Sequence, residues 1–173
     1  TAADFLANVR CFGGNGPVDS MFNIAVMHPE SVSDDNSQFV AYAWAGNSTS
    51  PSYETHPFYT HSQAPVNISR TSVGRYTATF PGQGGQTTGG NVQVTGYGGD
   101  ASCSVVSWGA SGDFVANIAC MNSLGVPIDS QFDLAVVPPQ ESPTFGYAWA
   151  NNASSADYTP DGVYSHNPSG EAI

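Results

Sequence analysis

The sequence predicts an all-β protein, an antiparallel β-sandwich or barrel-like fold whose modules arise from an internal duplication. Three observations lead there. Apolar residues nowhere keep the i, i+3, i+4, i+7 spacing of an amphipathic helix for more than a turn. Short β-rich runs alternate with Gly, Pro, Asn and Asp clusters at the spacing, often about ten residues, of sandwiches and barrels. Finally, Asp4-Phe5-Leu6-Ala7-Asn8-Val9-Arg10-Cys11 returns 109 residues later as Asp113-Phe114-Val115-Ala116-Asn117-Ile118-Ala119-Cys120.

The duplication extends further. Pro17-Val18-Asp19-Ser20-Met21-Phe22 matches Pro127-Ile128-Asp129-Ser130-Gln131-Phe132, and Ala41-Tyr42-Ala43-Trp44-Ala45 matches Gly146-Tyr147-Ala148-Trp149-Ala150. The correspondence continues through Tyr53/Tyr158, Tyr59/Tyr164 and His61/His166 to Ile68/Ile173. Residues 1–68 therefore form a partial repeat, a b-half. Residues 69–173 form a complete one, made of an a-half (69–112) that occurs once and a second b-half (113–173). With no long linker in sight, the two are expected to pack as one compact body. One b-half lacks an a-half, which leaves sheet edge for pairing between the b-halves, with a segment outside the chain, or with a neighbouring molecule.

Taken in order, strands are expected at Phe5–Cys11, Met21–Met27, Phe39–Ala45, Phe58–His61, Arg75–Phe80, Asn91–Tyr97, Ser102–Trp108, Phe114–Met121, Gln131–Val137, Phe145–Ala150 and Val163–His166. Each is a β-branched or aromatic run bounded by breakers. The breakers include Gly13-Gly14-Asn15-Gly16-Pro17, the Gly-rich stretch Pro81–Gly90, Gly98-Gly99-Asp100 and Pro138-Pro139-Gln140.

A hairpin turn over Ala110–Asp113 that sets Gly109 opposite Phe114 places Cys103 directly opposite Cys120. Facing Cα atoms in an antiparallel pair lie about 4.5 to 5.5 Å apart, within reach of a disulfide. A Cys103–Cys120 bond is therefore expected, contributing on the order of 3 kcal/mol in the chain-entropy model. Cys11 is the counterpart of Cys120, and its own partner would fall upstream of Thr1. It is expected to be unpaired, or to bond outside the chain.

Composition narrows the partners. The formal net charge is −11, and 10% of residues are charged. A surface this acidic argues against nucleic acid and anionic membranes, both of which need cationic partners. No apolar run approaches the roughly 18 residues that span a bilayer, so no membrane insertion is expected. An extracellular protein, secreted or at the cell surface, with a neutral polymer or glycan as partner fits this balance, as does self-association.

Candidate ligand-binding residues are aromatic. Tyr42 and Trp44, like Tyr147 and Trp149, occupy alternate positions of one strand and share a face. Such alternation usually marks the buried face, whereas its functional reading is a platform for sugar rings. Tyr53, Tyr59, Tyr158 and Tyr164 lie in or beside loop-like sequence and are the first candidates for an exposed surface, with Trp44 and Trp149 beside them.

No catalytic residues are assigned. The chain has no His-Glu-x-x-His, no Gly-x-Ser-x-Gly and no phosphate-cradling glycine motif. Asp19/Asp129 and Asp4/Asp113 read as turn residues that close hairpins by side-chain to backbone hydrogen bonds. His28, His56, His61 and His166 lack metal-ligand spacing and read as ordinary surface or structural residues. The oxygen-rich loops Asp157-x-x-x-Asp161-Gly162 and Asp34-Asp35-Asn36 lack calcium-loop spacing, so solvated turns are expected. No cofactor is assigned, with Asp157 and Asp161 the weak candidates for Ca²⁺. Asn47, Asn67 and Asn152 begin N-glycosylation sequons, for which chance is a sufficient explanation in a chain so rich in Asn, Ser and Thr.

Four phrases carry a resemblance: Gly74-Arg75-Tyr76-Thr77-Ala78-Thr79-Phe80-Pro81-Gly82, Asn91-Val92-Gln93-Val94-Thr95-Gly96-Tyr97-Gly98, the Cys103–Trp108 run, and Tyr147-Ala148-Trp149-Ala150-Asn151 followed by Tyr158-Thr159-Pro160. Together they resemble tandem β-repeats of secreted bacterial proteins of the actinobacterial kind. The resemblance covers most of the chain and implies a secreted β-repeat. It implies no activity and carries over no functional residue.

The functional expectation is a secreted non-catalytic binding or surface-structural protein that recognises carbohydrate. Its alternatives are a self-assembling extracellular fibre subunit that exchanges strands and a secreted hydrolase of β-sandwich type.

Overall fold

A computed structural model describes residues 8–13, 16–19, 40–85, 89–137, 147–149, 152, 154–155 and 157–167. The fold is all-β. In chain order the strands are β1 (Phe12–Gly13), β2 (Gly16–Pro17), β3 (Ala41–Ala45), β4 (Ser52–Glu54), β5 (Thr60–His61), β6 (Asn67–Ser72), β7 (Arg75–Gly85), β8 (Asn91–Tyr97), β9 (Ser102–Met121), β10 (Gln131–Val137), β11 (Tyr147–Ala148) and β12 (Ser165–His166). A four-stranded sheet in the order β5-β3-β10-β8 faces another in the order β4-β6-β7-β9, while β1-β2 and β11-β12 form separate antiparallel pairs.

The core lies between the four-stranded sheets. From the first, Ala41, Ala43 and Ala45 of β3 and Phe132, Leu134 and Val136 of β10 point inward. From the second come Ile68, Ala78, Phe80, Phe114, Ala116 and Ile118. Tyr76 meets Phe132 across the interface at a ring-centroid distance of 5.1 Å. Phe80, Phe114 and Phe132 have no measurable exposure, so they fill the space that the β3 alanines leave open. At about 25 cal/mol per Å² of apolar surface, these rings are the largest single contributors to the sandwich.

β9 is the principal departure from the expected elements. Instead of two strands with a separate turn, Ser102–Met121 forms one unbroken strand element with two arms. It nevertheless doubles back, with Gly112 at φ +74° inside the expected turn, and the Asn117 side-chain amide donates to Ser107 Oγ at 3.0 Å. The Cα atoms of Cys103 and Cys120 lie 4.0 Å apart and the two form the expected disulfide. Cys11 is unbonded.

Other boundaries differ for local reasons. Phe58–His61 is not one strand: Pro57–Tyr59 is a 3₁₀ turn, with proline in its first turn and the His56 side chain accepting from the Phe58 N–H, and only Thr60–His61 is extended. Ser52–Glu54 and Asn67–Ser72 are polar strands that an apolar pattern does not reveal. Residues 8–11 are not strand, and pairing begins at Phe12 with Pro17 opposite it. Val163 and Tyr164 precede the short β12. Met21–Met27 and residues 145, 146 and 150 of the Phe145–Ala150 run lie outside the described residues.

Pairing crosses the duplication. β3 from the first b-half and β10 from the second are neighbours, in the register Phe132↔Ala45, Leu134↔Ala43 and Val136↔Ala41.

Candidate functional site

The solvent face of the β5-β3-β10-β8 sheet is aromatic. Along β3 burial alternates, with Ala41, Ala43 and Ala45 inside and Tyr42 and Trp44 on the opposite face. The stripe that alternation alone assigns to the core is thus outward-facing, because only the alanine set fits the narrow space over Phe80 and Phe114. Tyr42 stacks on its cross-strand neighbour His61 at 5.7 Å.

Around Trp44 the rings form a continuous strip. Its indole meets Tyr59 edge-on at 5.1 Å and Tyr97 at 5.7 Å. On the far side of Tyr59, His56 lies 5.6 Å from it and 5.2 Å from Phe58. Phe58 is 86% exposed, Tyr59 56% and Tyr97 51%. Aromatic surface of this extent outside a core usually marks a contact surface.

The strip is held from beneath. A Cβ at Gly46 would fall 2.9 Å from the Trp44 ring, so the indole lies over a backbone position with no side chain. Gln131 donates from Nε2 to the Gly46 carbonyl at 2.7 Å and comes from β10 opposite Tyr97, linking the backbone beneath Trp44 to the strand beside Tyr97. Trp44 Nε1 is shielded from solvent and has no hydrogen-bond partner among the described residues. Beside the indole stands Asp133, in register with Trp44 on one side and Thr95 on the other. Its side chain reaches solvent, yet crowding removes enough water to push the carboxyl pKa up. It can accept from hydroxyl groups next to a flat apolar platform.

A second ring cluster stands at the opposite end of β8. Trp149 meets Tyr164 at 5.1 Å and 79°, the same values as Trp44 with Tyr59, and both rings contact Trp108 at 5.2 and 5.6 Å. Trp108 Nε1 donates to the Gly89 carbonyl at 3.0 Å. A groove of about 470 Å³ runs from this cluster along β8, between β8 and the first arm of β9.

The remaining candidates divide clearly. Tyr53 packs against the core, and its hydroxyl accepts from the Asn47 N–H at 3.1 Å; burial raises its pKa. Tyr158 repeats that bond with the Asn152 N–H at 3.2 Å. Tyr59 belongs to the exposed strip, Tyr164 to the second cluster. Asp157 is exposed, and Asp161 Oδ1 accepts from the Val163 N–H at 2.9 Å, closing its own turn. Among the described residues, no three His, Cys, Asp or Glu side chains gather as a metal site would require. Asp34, Asp35, Asn36, His28 and Asp4 lie outside the described residues.

Asp129 corrects its hairpin-closing role. It reaches across to the other sheet, accepting from Arg70 Nε and an Arg70 terminal nitrogen at 2.9 Å each, from the Gly74 N–H at 2.9 Å and lying 3.1 Å from the Tyr76 hydroxyl. Arg70 foremost holds its pKa down at about 2. Gly74 is at φ +65°, and a Cβ there would collide with the Cys120 and Ile128 backbones, so glycine is required for this approach. Asp113 likewise accepts from a distant backbone N–H, that of Gly82 at 2.9 Å.

Sequence reasoning missed Phe58, Tyr97, Trp108 and Asp133. Only their exposure and neighbours single them out, apart from the aromatic identity of the first three.

No family model matches the chain, and neither the curated proteins nor the solved structures provide a match.

Proposed function

We propose that the chain is a secreted, non-catalytic binding module that recognises a neutral polysaccharide on the outer face of the β5-β3-β10-β8 sheet. One observation carries the reading: the continuous aromatic strip of exposed Phe58, His56, Tyr59 and Tyr97 around a half-buried Trp44, with a carboxylate beside that central ring. Pyranose rings present C–H faces that stack on aromatic rings, while their equatorial hydroxyls seek acceptors and amides at the rim. Asp133 and Gln131 occupy such rim positions. The net charge of −11 disfavours anionic polymers, and a surface of stacked rings with few charges suits a neutral one. A disulfide-stapled β-sandwich suits the oxidising space in which extracellular polysaccharides are met.

Affinity electrophoresis through gels containing neutral β-glucan, xylan, mannan or glycol chitin tests the proposal. Retardation on one polymer, lost in Trp44→Ala and Tyr59→Ala with little change in melting temperature, is the expected outcome. Binding that survives both substitutions would move the site elsewhere, and loss of binding only together with loss of folding would count against a surface role.

A second reading is assembly by strand exchange: the β3–β10 pairing joins the two b-halves within one chain, and the same pairing made between two chains would link them. Native mass by light scattering with and without reductant distinguishes it. A species near the 18.0 kDa chain mass in both conditions excludes assembly, whereas polymers that survive reduction support it.

A further inference from the structure

We infer that the groove between β8 and the first arm of β9 is an extension of the aromatic strip and takes the same polysaccharide chain, so that binding grows stronger with oligomer length until both ring clusters are engaged. The inference rests on the neutral-polysaccharide reading and adds a second, separable subsite to it.

The two clusters lie at opposite ends of one strand. Tyr97 closes β8 at the strip, in contact with Trp44. Asn91 opens β8 at the far end, where the groove meets Trp108 and Trp149. Six residue steps of antiparallel strand separate them, about 20 Å. That is a distance for several sugar rings, not one.

The groove has a shape of its own. At the Tyr97 end, β8 and β9 touch through Gly96, where a Cβ would run into the Ala101 carbonyl and approach Cys103 Sγ at 3.6 Å. At the Asn91 end, an indole fits between the strands, with Trp108 Nε1 bonded to the Gly89 carbonyl. The strands therefore diverge from a closed end toward an aromatic one. The disulfide fixes Cys103 to the second arm of β9, so this wall is braced.

Its chemistry matches the strip. Gln93 and Thr95 are exposed on β8, and Ser104 is exposed across the groove, giving amide and hydroxyl groups that both donate and accept. No Lys or Arg lines the groove, so it offers no counter-charge to a phosphate, sulfate or uronate. Thr95 is in register with Asp133, which links the groove to the carboxylate beside Trp44. Trp149 is 40% exposed and supplies the stacking surface at the far end.

The test is a length series. Neutral β-1,4-linked oligosaccharides of glucose, xylose, mannose and N-acetylglucosamine, from dimer to octamer, are titrated by calorimetry into the wild-type chain, Trp149→Ala, Gln93→Ala and Trp44→Ala. For the sugar that binds, wild-type affinity is expected to rise about tenfold between trimer and hexamer, one additional stacked ring contact being of that order. Trp149→Ala and Gln93→Ala bring the hexamer down toward the trimer, and Trp44→Ala weakens every length. A rise that persists in both Trp149→Ala and Gln93→Ala, or no rise in the wild type, overturns the extended site while leaving the strip intact. No binding of any series, or indifference to Trp44→Ala, overturns the polysaccharide reading and this inference with it. Melting curves of each variant keep a folding defect from being mistaken for either result.

Discussion

The two Trp–Tyr corners share a sequence phrase but not a setting. Trp44 with Tyr59 and Trp149 with Tyr164 both sit at 5.1 Å and 79°, and the neighbouring Tyr42/His61 and Tyr147/His166 pairs are cross-strand partners in both. The bonds from the Asn47 N–H to Tyr53 and from the Asn152 N–H to Tyr158 recur as well. What differs is the third ring. Tyr97 completes the first corner from β8, and Trp108 completes the second from β9. Contacts between residues close in sequence follow the phrase, whereas the surface that a corner presents is decided by the strand packed beside it.

The same contrast holds for the a-half. Cys120 has Cys103 and Asp129 has Arg70, Gly74 and Tyr76, all contributed by residues 69–112. Cys11 is free and Asp19 is exposed. Residues 69–112 thus give Cys120 a covalent anchor and Asp129 an ionic one.

The strongest way to break the contrast is to remove the disulfide. Cys103→Ser with Cys120→Ser is expected to cost about 3 kcal/mol in urea unfolding. In versions carrying a single reporter tryptophan, the fluorescence of Trp108 should change more than that of Trp44. Equal changes would show the two corners to be one cooperative unit.

Next comes the Asp129 anchor. Asp129→Ala strips a charge-assisted pair and leaves the Gly74 N–H without its acceptor, for a loss of about 2 kcal/mol, while Asp19→Ala should stay within about 0.5 kcal/mol. Comparable losses would mean that Asp19 has an anchor of its own.

Acid titration sharpens the same point at smaller amplitude. The Asp129 pKa lies below its unfolded value, so its contribution is complete above about pH 4 and disappears as pH falls toward about 2. Stability between these limits should fall less steeply in Asp129→Asn than in the wild type. An identical slope would assign the acid sensitivity to other carboxylates.

The smallest expected effect concerns one Cβ. Asn151 stands where the first copy has Gly46, over which the Trp44 ring lies. Gly46→Asn should displace the indole at a cost of about 1 kcal/mol or less, red-shift its emission and increase its quenching by acrylamide. An unshifted spectrum would show that the ring does not depend on the bare backbone.

Much of the scaffold was readable from the residues. Asn91–Tyr97 and Gln131–Val137 match the expected strands at both ends, because alternation and flanking breakers are local signals. The disulfide followed from hairpin register, another short-range constraint. The polar strand Asn67–Ser72 was not readable, since it is an edge-proximal element whose pairing to β7 replaces apolar content. Nor was the outward direction of Tyr42 and Trp44: alternation defines two faces without saying which is buried. That choice depended on Phe80 and Phe114 reaching the same space from the other sheet.

By itself, then, the sequence determined the all-β class, the repeated phrases, the Cys103–Cys120 staple and the acidic net charge. These depend on period, spacing and charge count, which are properties of neighbours along the chain. Only the tertiary structure decided that β3 and β10 pair, that the aromatic face of β3 is the outer one, and that Tyr97 and Asp133 stand beside Trp44 and Trp108 beside Trp149. Those outcomes depend on which long-range pairing buries the most apolar volume without voids, a comparison of whole arrangements that no local window contains.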